Sequence, residues 1–191
     1  MQLLDWKKGN DTSDPFSLSY TSTEMNSARP IIRDLERSGA DVTLEVLAYL
    51  GVVLLVGISA YYYPRLPETV PQHFNFKGEP DGWRGKGSLL IMPIIGVVLF
   101  TTLSVLSRFP HVFNYPWPIT ESNARRQYAI SRQMLFAVKL ALVVTFTYIT
   151  WSMIGTALGS RNGMGPGFMI VETPLLIAII GFYLFRAKQA Q

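Results

Sequence analysis

Four apolar runs, at approximately residues 44–63, 89–106, 134–156 and 168–185, constrain this chain more than any other feature in it. A run of about 20 mostly apolar residues, wound as a helix, crosses a hydrocarbon layer of roughly 30 Å. The runs contain Gly, Ser and Thr but few charges, and four such helices would make an unusually greasy soluble bundle. The expected fold is therefore an all-α integral membrane protein. It is a four-transmembrane-helix bundle with an ordered outer loop cap and an extended polar N-terminal tail. Residues 1–42 would form the tail with a short amphipathic helix, and residues 43–188 the membrane domain.

Lys and Arg concentrate on cytoplasmic flanks. With four spans, both termini share a side with the second loop, which holds Arg29, Arg33, Arg37, Arg108, Arg125, Arg126, Arg132, Arg186 and Lys188. The opposite side holds Arg65, Lys77, Arg84, Lys86 and Arg161. Nine against five predicts both termini inside, in a bacterial cytoplasmic (inner) membrane. The net charge of +4 is then mostly an orientation signal, and no contiguous basic surface points to nucleic acid. The opening MQLLDWKKGNDTSD lacks the apolar stretch of a secretory signal, so the amino terminus is expected to be retained.

The chain has no cysteine, which excludes disulfides, thiolate nucleophiles and cysteine-held metal. Gly85-Lys86 resembles the end of a phosphate loop, but Pro80 and Gly87 stand where that loop needs a glycine and a Ser or Thr. Neither a Gly-x-Ser-x-Gly elbow nor a pair of histidines on one helix is present. No catalytic residue, metal or cofactor is expected, and the chain reads as non-enzymatic.

Up to about Met25 the tail is rich in Asp, Ser, Thr, Asn and Gly and is expected to be mobile alone. Ala28 to Ser38 is a helix candidate, with Asn26 or Ser27 as cap, Pro30 in the first turn, Ile31, Ile32 and Leu35 on one side, and Gly39 as stop. It suits a membrane surface, a partner or a solvated linker. In the second loop, Pro110, Pro116 and Pro118 keep the chain extended, and Thr120 caps a helix that runs into the third span. Arg125, Arg126 and Arg132 are expected to meet lipid headgroups, each contributing about 1 kcal/mol.

Between the first two spans, LPETVPQHFNFKGEPDGWRGK is a polar segment dense in turn residues. Pro64 ends the first helix after Tyr61, Tyr62 and Tyr63, and Pro67 and Pro71 force extended backbone. Alternation places Val70, Phe74 and Phe76 on one side and Pro71, His73 and Asn75 on the other. Lys77-Gly78 and Asp81-Gly82 are turns that fold the segment back toward Trp83, capping the outer helix ends. His73, Asn75, Glu79 and Asp81 are residue types that metal or acid–base sites use, and equally types that bond turn backbone.

Charges within spans are costly and mark function by default. Glu45 and Lys139 both lie near the inner face and are expected to pair, with snorkelling of Lys139 to the headgroups as the alternative. Glu172, near the outer start of the fourth span, is expected at the interface. Ala137, Ala141 and Thr145 recur every four residues, a strip for internal packing or for another subunit.

Leu66-Pro67, Val70-Pro71, His73-Phe74-Asn75, Gly78 and Pro80-Asp81-Gly82-Trp83 together resemble the uncharacterised N-terminal domain of bacterial Sdp-type immunity membrane proteins. Asn114-Tyr115-Pro116, Ile119-Thr120-Glu121 and Arg126-Gln127-Tyr128 are similar to that family's stretch after its second span. The resemblance covers roughly residues 61–140. It implies that Pro71, His73, Asn75, Gly78, Pro80, Asp81, Gly82 and Trp83 form a shared outer cap, and it supplies no catalytic role. The best-studied members of the family, most of which is of unknown function, protect a cell from a membrane-active peptide toxin and signal its presence to a repressor. They carry further membrane helices after this domain, where this chain has four spans.

Two functions follow as expectations. One is an immunity-like or receptor-like factor whose outer cap, residues 64–87, meets a peptide ligand. The other is an accessory subunit of a larger membrane complex, held through its tail and spans.

Overall fold

A computed structural model describes residues 29–191; the tail before them lies outside the described residues. Four long helices follow in order: α1 (Gly39–Tyr62), α2 (Ile91–Leu106), α3 (Ala124–Ala157) and α4 (Gly167–Gln189). Strands β1 (Thr69–Phe74) and β2 (Pro80–Gly85) form a hairpin between α1 and α2. All four, α2 together with the 3-10 turn Lys86–Leu90 that leads into it, are long and apolar enough to span a membrane, and the fold class is all-helical as expected. Only 11–28% of their most apolar windows is buried inside the protein. The remaining apolar faces, such as Val46, Leu50 and Val53 on α1, need lipid around them.

α3 is the spine, packed against each of the other helices. Its 34 residues extend about 51 Å, well beyond a hydrocarbon layer of about 30 Å. The excess at its two ends carries two caps. Within the membrane portion, glycines permit close approach: a methyl at Gly51 would lie 2.7 Å from Val143 Cγ1, and one at Gly96 would lie 2.7 Å from Leu55 Cδ2.

The hairpin-end cap rests on the last turns of α3. Leu66, Val70 and Leu89 bury against Met153 and Ile154, with Tyr62, Phe74 and Ile149 around them. The hairpin register pairs Pro71 with Trp83 and His73 with Gly82, leaving an irregularity at Gln72. That bulge breaks the expected alternation, because the extra residue turns two successive side chains inward. Val70 and Pro71 are both buried; Phe74 stays with Val70, whereas Phe76, expected there too, lies past the end of β1 in the turn and is 89% exposed.

The opposite cap holds both described chain ends and the α2–α3 loop. Here the expected helix over residues 28–38 is absent from the described residues 29–38, which form an irregular segment. Its backbone carbonyls are taken by arginines: Arg125 donates to Asp34, and Arg132 to Leu35 and Glu36. Those donors stabilise an open backbone that a helix would have bonded to itself. Gly39 opens α1 instead of closing a helix. Ser38 caps α1 reciprocally, accepting from the Asp41 N–H at 3.1 Å while the Asp41 carboxylate accepts from the Ser38 N–H at 3.0 Å.

Candidate functional site

A polar surface cleft lies where the hairpin tip meets the α3–α4 loop. Asn75 builds the tip: its Oδ1 accepts from the N–H groups of Lys77 and Glu79 at 2.9 and 3.1 Å, and its Nδ2 donates to Glu79 Oε2 at 3.0 Å. A side chain bonding backbone two and four residues on is how Asn fixes a turn. Gly78 then adopts φ +77° and its carbonyl accepts from the Met164 N–H at 2.8 Å.

The facing loop is shaped by glycines. Gly159, at φ +72°, ends α3, with the Ser160 N–H reaching the Gly155 carbonyl at 2.9 Å in a Schellman turn. Gly163 approaches Gly78 so closely that an added methyl would lie 2.1 Å from the Gly78 carbonyl oxygen. Tyr148 fixes the loop from below, donating to the Met164 carbonyl at 2.6 Å and stacking on Phe168 with ring centroids 4.8 Å apart. Between tip and loop lies a cleft of about 660 Å³, with Lys77, Glu79, Ser160 and Arg161 among its lining residues. Its charges are of both signs, on Lys77, Glu79 and Arg161, while the backbone of the tip is paired within the turn and the clasp, so side chains are what a polar ligand would meet.

Of the eight expected cap residues, Gly78 lines this cleft and Asn75 shapes the tip beside it, while the other six lie along the hairpin outside its lining. Pro71 is buried opposite Trp83, which is half exposed; Pro80 pairs with Phe74 and Gly82 with His73. His73 Nδ1 and Asp81 Oδ1 lie 2.5 Å apart on the exposed face of the hairpin. Among the described residues, no group of three or more His, Asp or Glu is placed to hold a metal. Sequence reasoning missed the loop from Ser160 to Pro166. Its signal was the density of glycine in Gly159-Ser160-Arg161-Asn162-Gly163-Met164-Gly165.

The expected intramembrane pair is formed. Lys139, 1% exposed, places Nζ 3.7 Å from Glu45 Oε1 and 2.9 Å from Ser104 Oγ, and lies over the rings of Phe100 and Phe136. Glu45 also bonds Arg37 at 2.5 Å, so the network ties α1, α2 and α3 to the segment before α1. Lys139 is buried inside the protein, and snorkelling is excluded. Glu172 accepts a hydrogen bond from Thr145 on α3.

The headgroup assignment needs correction. Arg132 is 6% exposed and bonds Asp41 at 3.0 Å, so it faces the protein interior. Gln133 also donates to Asp41. The reason is that the irregular segment 29–38 supplies the Leu35 and Glu36 carbonyls and the first turn of α1 the Asp41 carboxylate, which together take the place of a lipid headgroup. Arg125, ion-paired to Asp34 at 3.6 Å, and Arg126 remain exposed.

The motif residues of the second loop converge in this same cap. Trp117 Nε1 donates to Gln127 Oε1 at 3.0 Å, Gln127 Nε2 donates to the Ala187 carbonyl at 2.8 Å, and the Tyr115 and Tyr128 rings lie 5.8 Å apart. The Tyr115 hydroxyl donates to the Pro110 carbonyl at 2.9 Å, and burial pushes it up to about 12, partly offset by the nearby Ser131 hydroxyl and by Arg29.

Residues 50–97, which run from within α1 through the hairpin into α2, match a family described as "Domain of unknown function (DUF1648)". The chain is similar to an uncharacterized protein of Archaeoglobus fulgidus, 28% identical over 155 residues that cover 74% of this chain and 79% of that protein. No solved structure matches. This chain is a multi-pass helical membrane protein, and neither comparison carries an immunity activity to it.

Proposed function

We propose that this protein is a membrane-embedded recognition factor whose hairpin-end cap faces outward and receives a peptide ligand. The observation that carries this reading is the clasp between Gly78 and Met164. It joins two segments 86 residues apart in sequence into one rim around a preformed polar cleft. Preformed sites bind with less ordering cost, and side-chain charges of both signs are what a polar peptide can pair with. The resemblance of the cap to that of immunity-type membrane factors supports the same reading, as does the surplus of Lys and Arg at the opposite end.

Selection of a random displayed-peptide library on the protein in lipid nanodiscs tests this. Peptides enriched on the native chain should lose binding at least tenfold on Arg161→Glu or Lys77→Glu. An enriched set indifferent to both variants, or no enrichment, contradicts the reading. Copurification of stoichiometric companions over this cap would replace it with a subunit role.

A further inference from the structure

A second, independent site lies within the membrane. α1 and α4 flank α3 without closing over it, leaving a groove of about 520 Å³. Its lining includes Ala137, Ala141 and Ala178, with Phe182 and Tyr183 toward one end and Glu172 at the other. Glu172 lies five residues into α4, about 8 Å along its axis, in a wall that is otherwise almost entirely apolar. A carboxyl group at such a depth is costly unless donors surround it. Thr145 supplies one hydrogen bond to Oε1, and a carboxyl group can accept several more.

We propose that this groove binds a single-chain amphiphile with a protonated amine head, its amine at Glu172 and its chain along the alanine floor. Charge decides the head: a cationic donor completes the carboxyl group's hydrogen bonds and cancels its charge within a low dielectric. Volume decides the tail. From Glu172 to Tyr183 the groove runs about 16 Å over its alanine floor and holds about 520 Å³, room for a single extended chain along its length.

The test uses the full chain in phosphatidylcholine nanodiscs and a long-chain alkylamine carrying a diazirine, with cross-linked peptides mapped by mass spectrometry. Saturable labelling should fall on the α3 and α4 segments around Ala141 and Ala178. The alkyl sulfate of the same chain length should label these at background. Glu172→Gln should reduce labelling at least tenfold, the loss of one charged hydrogen bond. Ala141→Trp, which fills the floor and keeps the carboxyl group, should abolish it, with gel filtration confirming that both variants remain folded. Equal labelling by amine and sulfate, or labelling unchanged in Glu172→Gln, would show ordinary lipid contact and overturn the proposal. So would cross-links joining α4 of two copies, which would put a second copy over the groove.

Discussion

Replacing Arg132 with Met removes a guanidinium that is bonded on one side to Asp41 and on the other to the carbonyls of Leu35 and Glu36. The ion-paired side chains are 8% and 4% exposed, so water cannot readily replace the lost partner. Breaking a buried pair from one side costs about 3–5 kcal/mol. Asp41 keeps the Ser38 N–H at 3.0 Å and Gln133 at 3.1 Å, which places the loss at the low end, about 3 kcal/mol. The assay is reversible unfolding in mixed micelles or bicelles, repeated in zwitterionic and anionic lipid, with Asp41→Asn alone and combined. The two substitutions should be strongly non-additive, and the loss should not depend on lipid charge. A headgroup anchor behaves differently: its loss costs roughly 1 kcal/mol and vanishes in zwitterionic lipid. A loss below about 1 kcal/mol that follows anionic lipid content would refute the buried assignment.

Glu45→Gln leaves Lys139 buried without its carboxylate. It should destabilise the bundle more than the double variant Glu45→Gln with Lys139→Met, as thermal unfolding would read. Gly51→Ala should cost about 1–3 kcal/mol through the contact at Val143, and Val143→Ala should recover most of it. Gly163→Ala should expose the Met164 amide to hydrogen–deuterium exchange, since the added methyl displaces Gly78. Tyr115, raised in the folded protein to about 12, contributes stability that is full below about pH 10 and is lost as pH rises through about 12. The latest phase of phenolate absorbance should shrink in Tyr115→Phe.

The spans were legible because bilayer thickness imposes a length that few other folds require. α1 through α4 cover the four apolar runs, though α1 starts earlier, at Gly39, and α3 extends well past its run on the Ala124 side. The pairing of Glu45 with Lys139 was legible for a related reason, since two opposite charges at one depth have few other partners. Residues 29–38 were misread because Ile31, Ile32 and Leu35 carry helical spacing, while the arginines that hold the segment open lie about 90 residues away on α3. Tertiary donors of that kind leave no local mark. Phe76 was misplaced because β1 ends at Phe74 and the chain turns after it, so the alternation that holds for Val70 and Phe74 does not carry on to Phe76. Half of the cleft escaped notice because Ser160 to Pro166 offers backbone shape, set by positive-φ glycines, and little side-chain chemistry.

Because the chain contains no cysteine, single introduced cysteines report topology without background. The decisive measurement is labelling of Lys77→Cys, Asn162→Cys, Glu121→Cys and Gln191→Cys by a membrane-impermeant maleimide added to one side of sealed vesicles. Lys77→Cys and Asn162→Cys should react from one face and Glu121→Cys and Gln191→Cys only from the other, with Val98→Cys in α2 protected from both. Reaction of the hairpin and the α2–α3 loop from the same face, or of Val98→Cys from water, would contradict a four-span bundle capped at opposite ends.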